Sequence, residues 1–376
     1  LIYITDKSMN ICIVCGARPN FMKVAPVIRS IKADQAHGSD ISYRLLYTGA
    51  PDDPTIEPSL FNDLQIAPPN DYLGVTSENL NEITGLVMQR FEQWLHAHPT
   101  DTVVVVDDLA STMAVAIVAK KQGLRLAHIA AGTRSFDIKM PKEVNRLVID
   151  GLSDILFTAG VSNNSIANRE GAELSKVYMV GNVLMDNLRF NADRLVRPAL
   201  FDGDPKSGMP ALKDGAYLVF TLNRKALIGD QEHLQTLVQA IADQQGDTPV
   251  VAPLRGTAAK VVEHCLKAIG AQRFFVVDPL PYLEFAYLTA HAKGIITDSG
   301  NVAEEATFNR VPCITLNSYT EHYETVKKGS NVLVGENPQL LADRVADMVS
   351  DKWKTCELPE QWDGRTGERI VRILEE

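Results

Sequence analysis

The chain has 376 residues, and at roughly 150 residues per domain that length supplies two cores. Lysine and arginine number 37 against 47 aspartate and glutamate, a net charge of −10, which argues against nucleic acid or an anionic membrane surface as partner. An anionic small molecule survives that exclusion, because helix N-termini and a few placed arginines act locally whatever the total charge.

The longest apolar runs, such as Thr102–Val106 and Phe274–Val277, are strand-length, far short of the roughly 20 residues of a membrane-spanning helix. Leu1–Ser8 carries Asp6 and Lys7, lacks the apolar stretch of a secretory signal, and reads as a remnant upstream of a natural start at Met9. Five cysteines, an odd number spread over a long chain, read as reduced thiols of a cytoplasmic protein. Cys12 and Cys15 form a C-x-x-C inside an apolar run with no second ligand pair, so they read as buried structural thiols rather than a metal or redox site.

Short β-branched runs alternate with helical periodicity almost from end to end, the α/β pattern. The first series has strands at Asn10–Cys15, Ser42–Tyr47, Thr102–Val106, Arg125–Ile129, Ile155–Thr158 and Lys176–Val180. Between them lie helices near Pro26–Asp34, Leu80–His96, Ser111–Gln122, Val144–Ser153 and Ser162–Glu170. Unbroken apolar character in Val103–Val106 implies burial on both faces, as in a parallel sheet covered by helices. Prolines 198, 205 and 210 with glycines 203, 208 and 215 then break regular structure across Asn191–Gly215. A second series follows, with strands at Tyr217–Thr221, Thr248–Val251, Arg273–Val276, Gly294–Ile296, Val311–Leu316 and Asn331–Leu333. Its helices fall near Glu232–Gln244, Thr257–Ile269, Tyr282–Ala290 and Val302–Asn309. The predicted architecture is two doubly wound Rossmann-type domains facing a cleft, residues 9–190 and 191–357, with a C-terminal helix within 358–376 packing back on the first.

Four segments carry candidate chemistry. Gly16-Ala17-Arg18-Pro19-Asn20, after the first strand and followed by Lys23, suits a phosphate or carboxylate, and equally a plain surface turn. Asp107-Asp108 closes the third strand, where either can cap a helix or face a ligand. The polar segment from Gly132 to Arg146 holds Arg134, Asp137, Lys139, Lys142, Glu143 and Asn145, a set that suits either a ligand or a salt-bridge network holding the loop. In Thr297-Asp298-Ser299-Gly300-Asn301, a strand turns into a helix, and the amides of Ser299, Gly300 and Asn301 suit a diphosphate, with Glu305 a turn further on for two ribose hydroxyls. A capped helix start is the plainer alternative, which leaves the missing side chain at Gly300 unaccounted for.

Taken together, Gly16-Ala17-Arg18-Pro19-Asn20-Phe21-Met22-Lys23, Ala131-Gly132, Ser135-Phe136-Asp137, Met140-Pro141, Asn145-Arg146, Gly181-Asn182-Val183, Thr297-Asp298-Ser299-Gly300, Glu304-Glu305 and Thr320-Glu321 resemble the non-hydrolysing UDP-N-acetylglucosamine 2-epimerase family. That resemblance implies a GT-B-like fold, a homodimer, no metal or other cofactor, and UDP or a UDP-sugar as ligand. It implies removal of the proton at sugar C2, departure of UDP, and re-addition after reprotonation from the other face. Asp108 and Glu143 are its implied catalytic carboxylates. Arg18, Lys23, Arg134, Asn145, Arg146, Arg224, Ser299, Gly300, Asn301 and Glu305 are its implied substrate-binding residues.

The sequence departs from the family pattern at several proton-moving positions. The family's His-Gly-Asp reads Val106-Asp107-Asp108, its Glu-Ala-Gly reads Ala130-Ala131-Gly132, and its Pro-Glu-Glu reads Pro141-Lys142-Glu143. Its Leu-His-Arg reads Leu222-Asn223-Arg224, its Val-His-Pro reads Val251-Ala252-Pro253, the second glycine of Ser-Gly-Gly is Asn301, and the arginine after Thr-Glu is His322. Three readings stay open: a divergent 2-epimerase, a nucleotide-sugar-binding homologue without turnover, and hydrolysis or transfer on a related UDP-sugar.

Overall fold

The computed structural model describes residues 9–170 and 176–376; the reading of Leu1–Ser8 lies outside the described residues. The chain forms two compact units, one comprising the chain up to Phe190 together with Glu360–Glu376, the other Asn191–Pro359. The first contains β1 (Asn10–Cys15), α1 (Arg18–Ala36), β2 (Ser42–Tyr47), α2 (Pro58–Leu64), β3 (Asp71–Tyr72), α3 (Leu80–Ala97), β4 (Thr102–Val106), α4 (Ala110–Lys121), β5 (Arg125–Ile129), α5 (Pro141–Leu152), β6 (Ile155–Thr158), α6 (Val161–Glu170), β7 (Lys176–Met179) and α7 (Leu184–Phe190). The second contains β8 (Leu218–Phe220), α8 (Lys225–Gly229), α9 (Gln231–Gln244), β9 (Val250–Pro253), α10 (Gly256–Ile269), β10 (Phe274–Val277), α11 (Tyr282–Ala290), β11 (Gly294–Thr297), α12 (Gly300–Asn309), β12 (Cys313–Thr315), α13 (Tyr323–Lys327), β13 (Asn331–Leu333) and α14 (Pro338–Val349); α15 (Thr366–Glu375) belongs to the first.

Both sheets are parallel throughout the described strands, in the orders β3-β2-β1-β4-β5-β6-β7 and β10-β9-β8-β11-β12-β13. In a doubly wound sheet the strand order reverses once, and the loops after the two strands at the reversal diverge to leave a crevice. Here the reversals fall between β1 and β4 and between β8 and β11. Gly16–Arg18 and Asp107–Asp108 are therefore neighbours in the first unit, and Leu222–Arg224 and Asp298–Ser299 in the second.

The apolar run of β4 divides between two cores. Val104 and Val106 pack with Phe21, Ile28 and Ile129 on one face; Val103 and Val105 pack with Phe91, Ala114 and Leu126 on the other. Cys12 and Cys15 are buried on opposite faces of β1, and burial pushes both thiols up, as inert structural thiols require.

The start predicted for α1 at Pro26 is corrected to Arg18, with Pro26 inside the helix. A proline there has no N–H for the carbonyl of Met22, four residues back, and the gap is filled from outside: Asn187 Nδ2 in α7 donates to Met22 O. Beside the same turn, Gly367 of α15 lies so close to Pro26 O that a Cβ there would stand 2.7 Å from it. Asp186 holds the start of α15, accepting the N–H groups of Thr366 at 3.0 Å and Gly367 at 2.7 Å. Ile370, Val371 and Leu374 then complete the core beneath α1. The short elements β3, α2, α7, α8 and α13, and the helix α14, add to the predicted set. The segment predicted to lack regular structure contains two short 3-10 turns, Ala192–Arg194 and Ala199–Asp202.

Candidate functional site

In the first unit Asn20 ties the loop after β1 to the end of β4. Its Oδ1 accepts the amides of Gly16 (2.9 Å) and Ala17 (3.2 Å), while its Nδ2 donates to Asp107 Oδ2 at 2.8 Å. Lys23 reaches the other oxygen of Asp107 at 2.5 Å. Burial pushes the Asp107 carboxyl up, but Lys23, Asn20 and His128 outweigh it and hold the group below the usual range. Asp107 has φ +61°, a conformation that favours glycine, so the strand ends in a strained turn held shut by its own side chain. Gly16 packs close to α4: a Cβ would stand 2.2 Å from Ser111 Oγ, which would have to turn away. Arg18, one residue beyond this knot, has a buried Nε with no hydrogen-bond partner among the described residues.

Behind this layer is a buried chain of charges. His128 directs Nε2 to the carbonyl of Asp107 (2.9 Å) and Nδ1 to Asp150 (2.6 Å). Asp150 also takes Arg134 (2.8 Å) and the amide of Gly132 (3.0 Å). Burial raises the Asp150 carboxyl, yet the hydrogen bond and charge of His128, with Arg134 and the Gly132 amide, leave it net lowered.

Arg134 spends its guanidinium here and on Glu170 (2.8 Å), buried within the unit. Asn145 donates to the Asp108 carbonyl at 2.8 Å, and Arg146 pairs with Asp108 at 2.7 Å and Glu143 at 3.1 Å. Glu143 is fully engaged, accepting from the amides of Ser135 and Phe136 and from Ser135 Oγ besides Arg146. Those bonds outweigh its burial and hold its carboxyl below the usual range. The polar loop is thus a salt-bridge network, the alternative the sequence left open for these residues. Its result is an exposed Phe136 at φ +60°. Lys142 stays exposed, its Nζ 3.8 Å from Asp108, and Ala130, at φ +68°, presents a methyl group.

In the second unit Asp298 clamps the loop after β8: its Oδ2 accepts the amides of Asn223 (2.7 Å) and Arg224 (2.6 Å), and its Oδ1 is buried with no partner among the described residues. A pocket of about 340 Å³ lined by Asn223, Arg224, Asp298, Ser299, Asn317 and Tyr319 opens there. Arg224 reaches Glu336 at 2.5 Å and the carbonyl of Leu316 at 3.2 Å.

Ser299 caps α12 through Oγ to the amide of Val302 and gives its own N–H to Thr297 Oγ1 at 3.0 Å. This corrects the reading of three outward amides: Ser299 N–H is used locally, leaving Gly300 and Asn301 as the first helical residues. Glu305 lies buried in the second turn, its carboxyl pushed up to about 7 by burial and by the neighbouring charge of Glu304. Sequence reasoning assigned no role to Asn20, His128, Asp150 or Glu304. No group of three or more His, Cys, Asp or Glu among the described residues is arranged to hold a metal ion. No helix among them is long and apolar enough to cross a membrane.

Two doubly wound parallel sheets with polar loops at their reversals define an α/β protein of the GT-B-like kind, and comparison with known proteins narrows the class. Residues 33–375 match the family described as UDP-N-acetylglucosamine 2-epimerase, and the chain belongs to that family. The UDP-N-acetylglucosamine 2-epimerase of Methanocaldococcus jannaschii is 33% identical over 378 residues, covering 97% of this chain and 99% of that protein. The UDP-2,3-diacetamido-2,3-dideoxy-D-glucuronate 2-epimerase of Pseudomonas aeruginosa is also 33% identical, over 339 residues, covering 89% and 91%. The crystal structure of the M. jannaschii UDP-GlcNAc 2-epimerase in complex with UDP-GlcNAc and UDP matches with a TM-score of 0.78 at 31% identity, covering 98% and 99%. That of UDP-GlcNAc 2-epimerase from Neisseria meningitidis bound to UDP-GlcNAc reaches 0.83 at 23% identity, covering 98% and 100%, a likeness of fold.

Proposed function

We propose that the protein binds a UDP-sugar and interconverts 2-epimers of the UDP-GlcNAc/UDP-ManNAc type by elimination and re-addition of UDP. The observation that carries this reading is the start of α12, where Gly300 and Asn301 open a ten-residue helix and Glu305 places a buried carboxyl in its second turn. A helix N-terminus favours a diphosphate, and Glu305 suits the two hydroxyls of a ribose. In the proposal Arg18, whose Nε has no hydrogen-bond partner among the described residues, and Arg224 serve phosphate oxygens, and Lys23 acts through Asp107. Asp108 is the carboxylate assigned to the proton at sugar C2. Glu143 keeps its place in the proposal by shaping the loop that carries Phe136 and by sharing Arg146 with Asp108; Arg134 and Asn145 likewise hold the site from behind.

A second reading, nucleotide-sugar binding without turnover, is favoured by the methyl group of Ala130 and by the complete engagement of Glu143, since a missing acid or base costs about 10²–10⁴ in rate. Incubation with UDP-GlcNAc, followed by NMR of the sugar anomeric signals, tests both. UDP-ManNAc supports epimerisation, free ManNAc with UDP points to hydrolysis, and UDP binding without turnover supports the second reading. Absence of UDP binding by calorimetry at millimolar concentration overturns both.

The proposal includes a homodimer and a cytoplasmic setting. Exposed Phe136, Ile138, Val144 and Leu147 in the first unit support the former, and five free cysteines the latter. Sedimentation velocity yielding a monomer at micromolar concentration would remove the dimer.

A further inference from the structure

The residue that ends β4 carries a side chain where the backbone favours glycine. Asp107, at φ +61°, stands at the middle position of the family's His-Gly-Asp, so this chain accepts strain that a glycine there avoids. The carboxylate offsets that strain through its partners. Its Oδ2 accepts from Asn20 Nδ2 at 2.8 Å and its Oδ1 meets Lys23 Nζ at 2.5 Å, so each oxygen has a donor and one donor is a cation. The pair is not sealed in: the side chains of Lys23 and Asp107 are 12% and 18% exposed, and they lie at the reversal between β1 and β4. The amides of Gly16 and Ala17 are taken as well, by Asn20 Oδ1. The loop after β1 therefore holds an anion, and that anion is the chain's own carboxylate. Asp108 is matched in turn by Arg146 at 2.7 Å, with the exposed Lys142 at 3.8 Å.

We infer that Asp107 is a specificity-determining residue: by occupying Lys23 and Asn20 it fits the first unit's crevice to an uncharged sugar, such as an N-acetylhexosamine, and turns away a sugar that carries its own carboxylate. The inference rests on the reading of the protein as a UDP-sugar binder and narrows its substrate class. Attraction and repulsion both act through the same group. A carboxylate has about four lone-pair sites, and those of Asp107 beyond the bonds to Asn20 and Lys23 can accept from sugar hydroxyl and amide groups. A uronate in the same place would bring like charge against Asp107 while Lys23 and Arg146 are already engaged by carboxylates of the chain.

Calorimetry on the full chain with UDP, UDP-GlcNAc and its uronate counterpart, UDP-N-acetylglucosaminuronate, tests this. The parent is expected to bind the neutral sugar nucleotide about tenfold more tightly than the acidic one. D107N keeps the size and removes the charge, releasing Lys23 to the ligand's carboxylate, and should bring the two affinities within about twofold of each other. K23Q leaves Asp107 without its cation and should widen the gap. A pair that served only the fold would weaken both nucleotides together and leave their ratio unchanged, so opposite movements of the ratio in the two variants mark specificity. UDP is the control for folding and for the nucleotide reading. Parent affinities within about twofold of each other, or a ratio left unmoved by either variant that still binds UDP, overturn the inference while the nucleotide reading stands. If neither variant binds UDP, the parent's ratio alone decides. UDP that fails to bind the parent overturns both.

Discussion

Arg146 stands between Asp108 and Glu143, 2.7 Å from one carboxylate and 3.1 Å from the other, so one guanidinium sets the charge balance of both carboxylates assigned to the first unit's chemistry. Its planar fork bridges two acceptors at fixed angles, which an ammonium cannot do. Removing it takes the guanidinium from both carboxylates and leaves Asp108 only the exposed Lys142, 3.8 Å away. Arg146→Ala should destabilise the first unit by about 3 kcal/mol, the cost of breaking a buried pair from one side, with Arg146→Lys recovering only part. Urea unfolding curves measure this; a loss no greater than that of an exposed arginine would refute the bridging role.

Glu305 predicts a pH dependence of stability with a definite sign. Its carboxyl rises from an ordinary 4.5 to about 7 on folding, so its contribution is fully present below pH 4.5 and is lost as pH climbs through 7. The loss is on the order of 3 kcal/mol at about 1.4 kcal/mol per unit. Glu305→Gln should flatten that window. The lowered carboxyls of Asp107, Glu143 and Asp150 work oppositely, supporting the fold above their ordinary values and failing as pH falls through the lowered ones, so the two effects occupy separate ranges. Denaturant midpoints of the parent and Glu305→Gln across pH 5–8 distinguish them; parallel curves would contradict the buried-acid assignment.

Ligand binding should disturb the same proton. If ribose hydroxyls donate to Glu305, they favour its ionised form, and UDP binding near pH 7 releases protons. Calorimetry in two buffers of different ionisation enthalpy would then give different apparent heats. Equal heats would count against contact between Glu305 and the nucleotide.

Two strained turns give opposite responses to glycine. Ala130 and Asp107 both have positive φ. Ala130→Gly should stabilise by up to about 1 kcal/mol, because it relieves the strain and removes only a methyl group. Asp107→Gly relieves the same strain but removes the carboxylate that Lys23 and Asn20 Nδ2 reach, and should destabilise by about 2 kcal/mol net. Thermal melts of the two variants moving in the same direction would break the argument.

The missing proton-moving groups suggest a gain-of-function experiment. Ala130 is partly exposed, and Lys142 and Asn223 are exposed, so larger or charged replacements are not forced into a core. Ala130→Glu, Lys142→Glu and Asn223→His together should raise epimerase turnover at least about a hundredfold, the lower end of what one acid or base supplies. Unchanged turnover with UDP binding preserved would show that the positions surrounding these three have changed as well.

The strands were legible because buried parallel strands are short unbroken β-branched runs, of which Val103–Val106 is the plainest. The true start of α1 was hidden because Pro26 resembles a helix opening, and only a distant donor, Asn187, makes it tolerable in the interior. The capped turn into α12 was legible in Asp298-Ser299-Gly300, since capping chemistry is local. Its partners were not: Glu304 meets His322 across 18 residues, and Asp150 meets His128 across 22, pairings that a linear pattern does not encode. The polar loop showed its charges in sequence, but which of them faced inward depended on Asp150 and Glu170, contributed by α5 and α6.

The return of α15 to the core beneath α1 bears on the order in which the chain acquires structure during synthesis. Asn191–Pro359 is a single contiguous stretch and can close its own core as soon as it has emerged. The first unit must wait, since Ile370, Val371 and Leu374 follow the whole of the second unit in the chain. Phe21, Val24 and Ile28 therefore keep an unfilled apolar face until α15 has emerged, and the unit begun first is completed after the second.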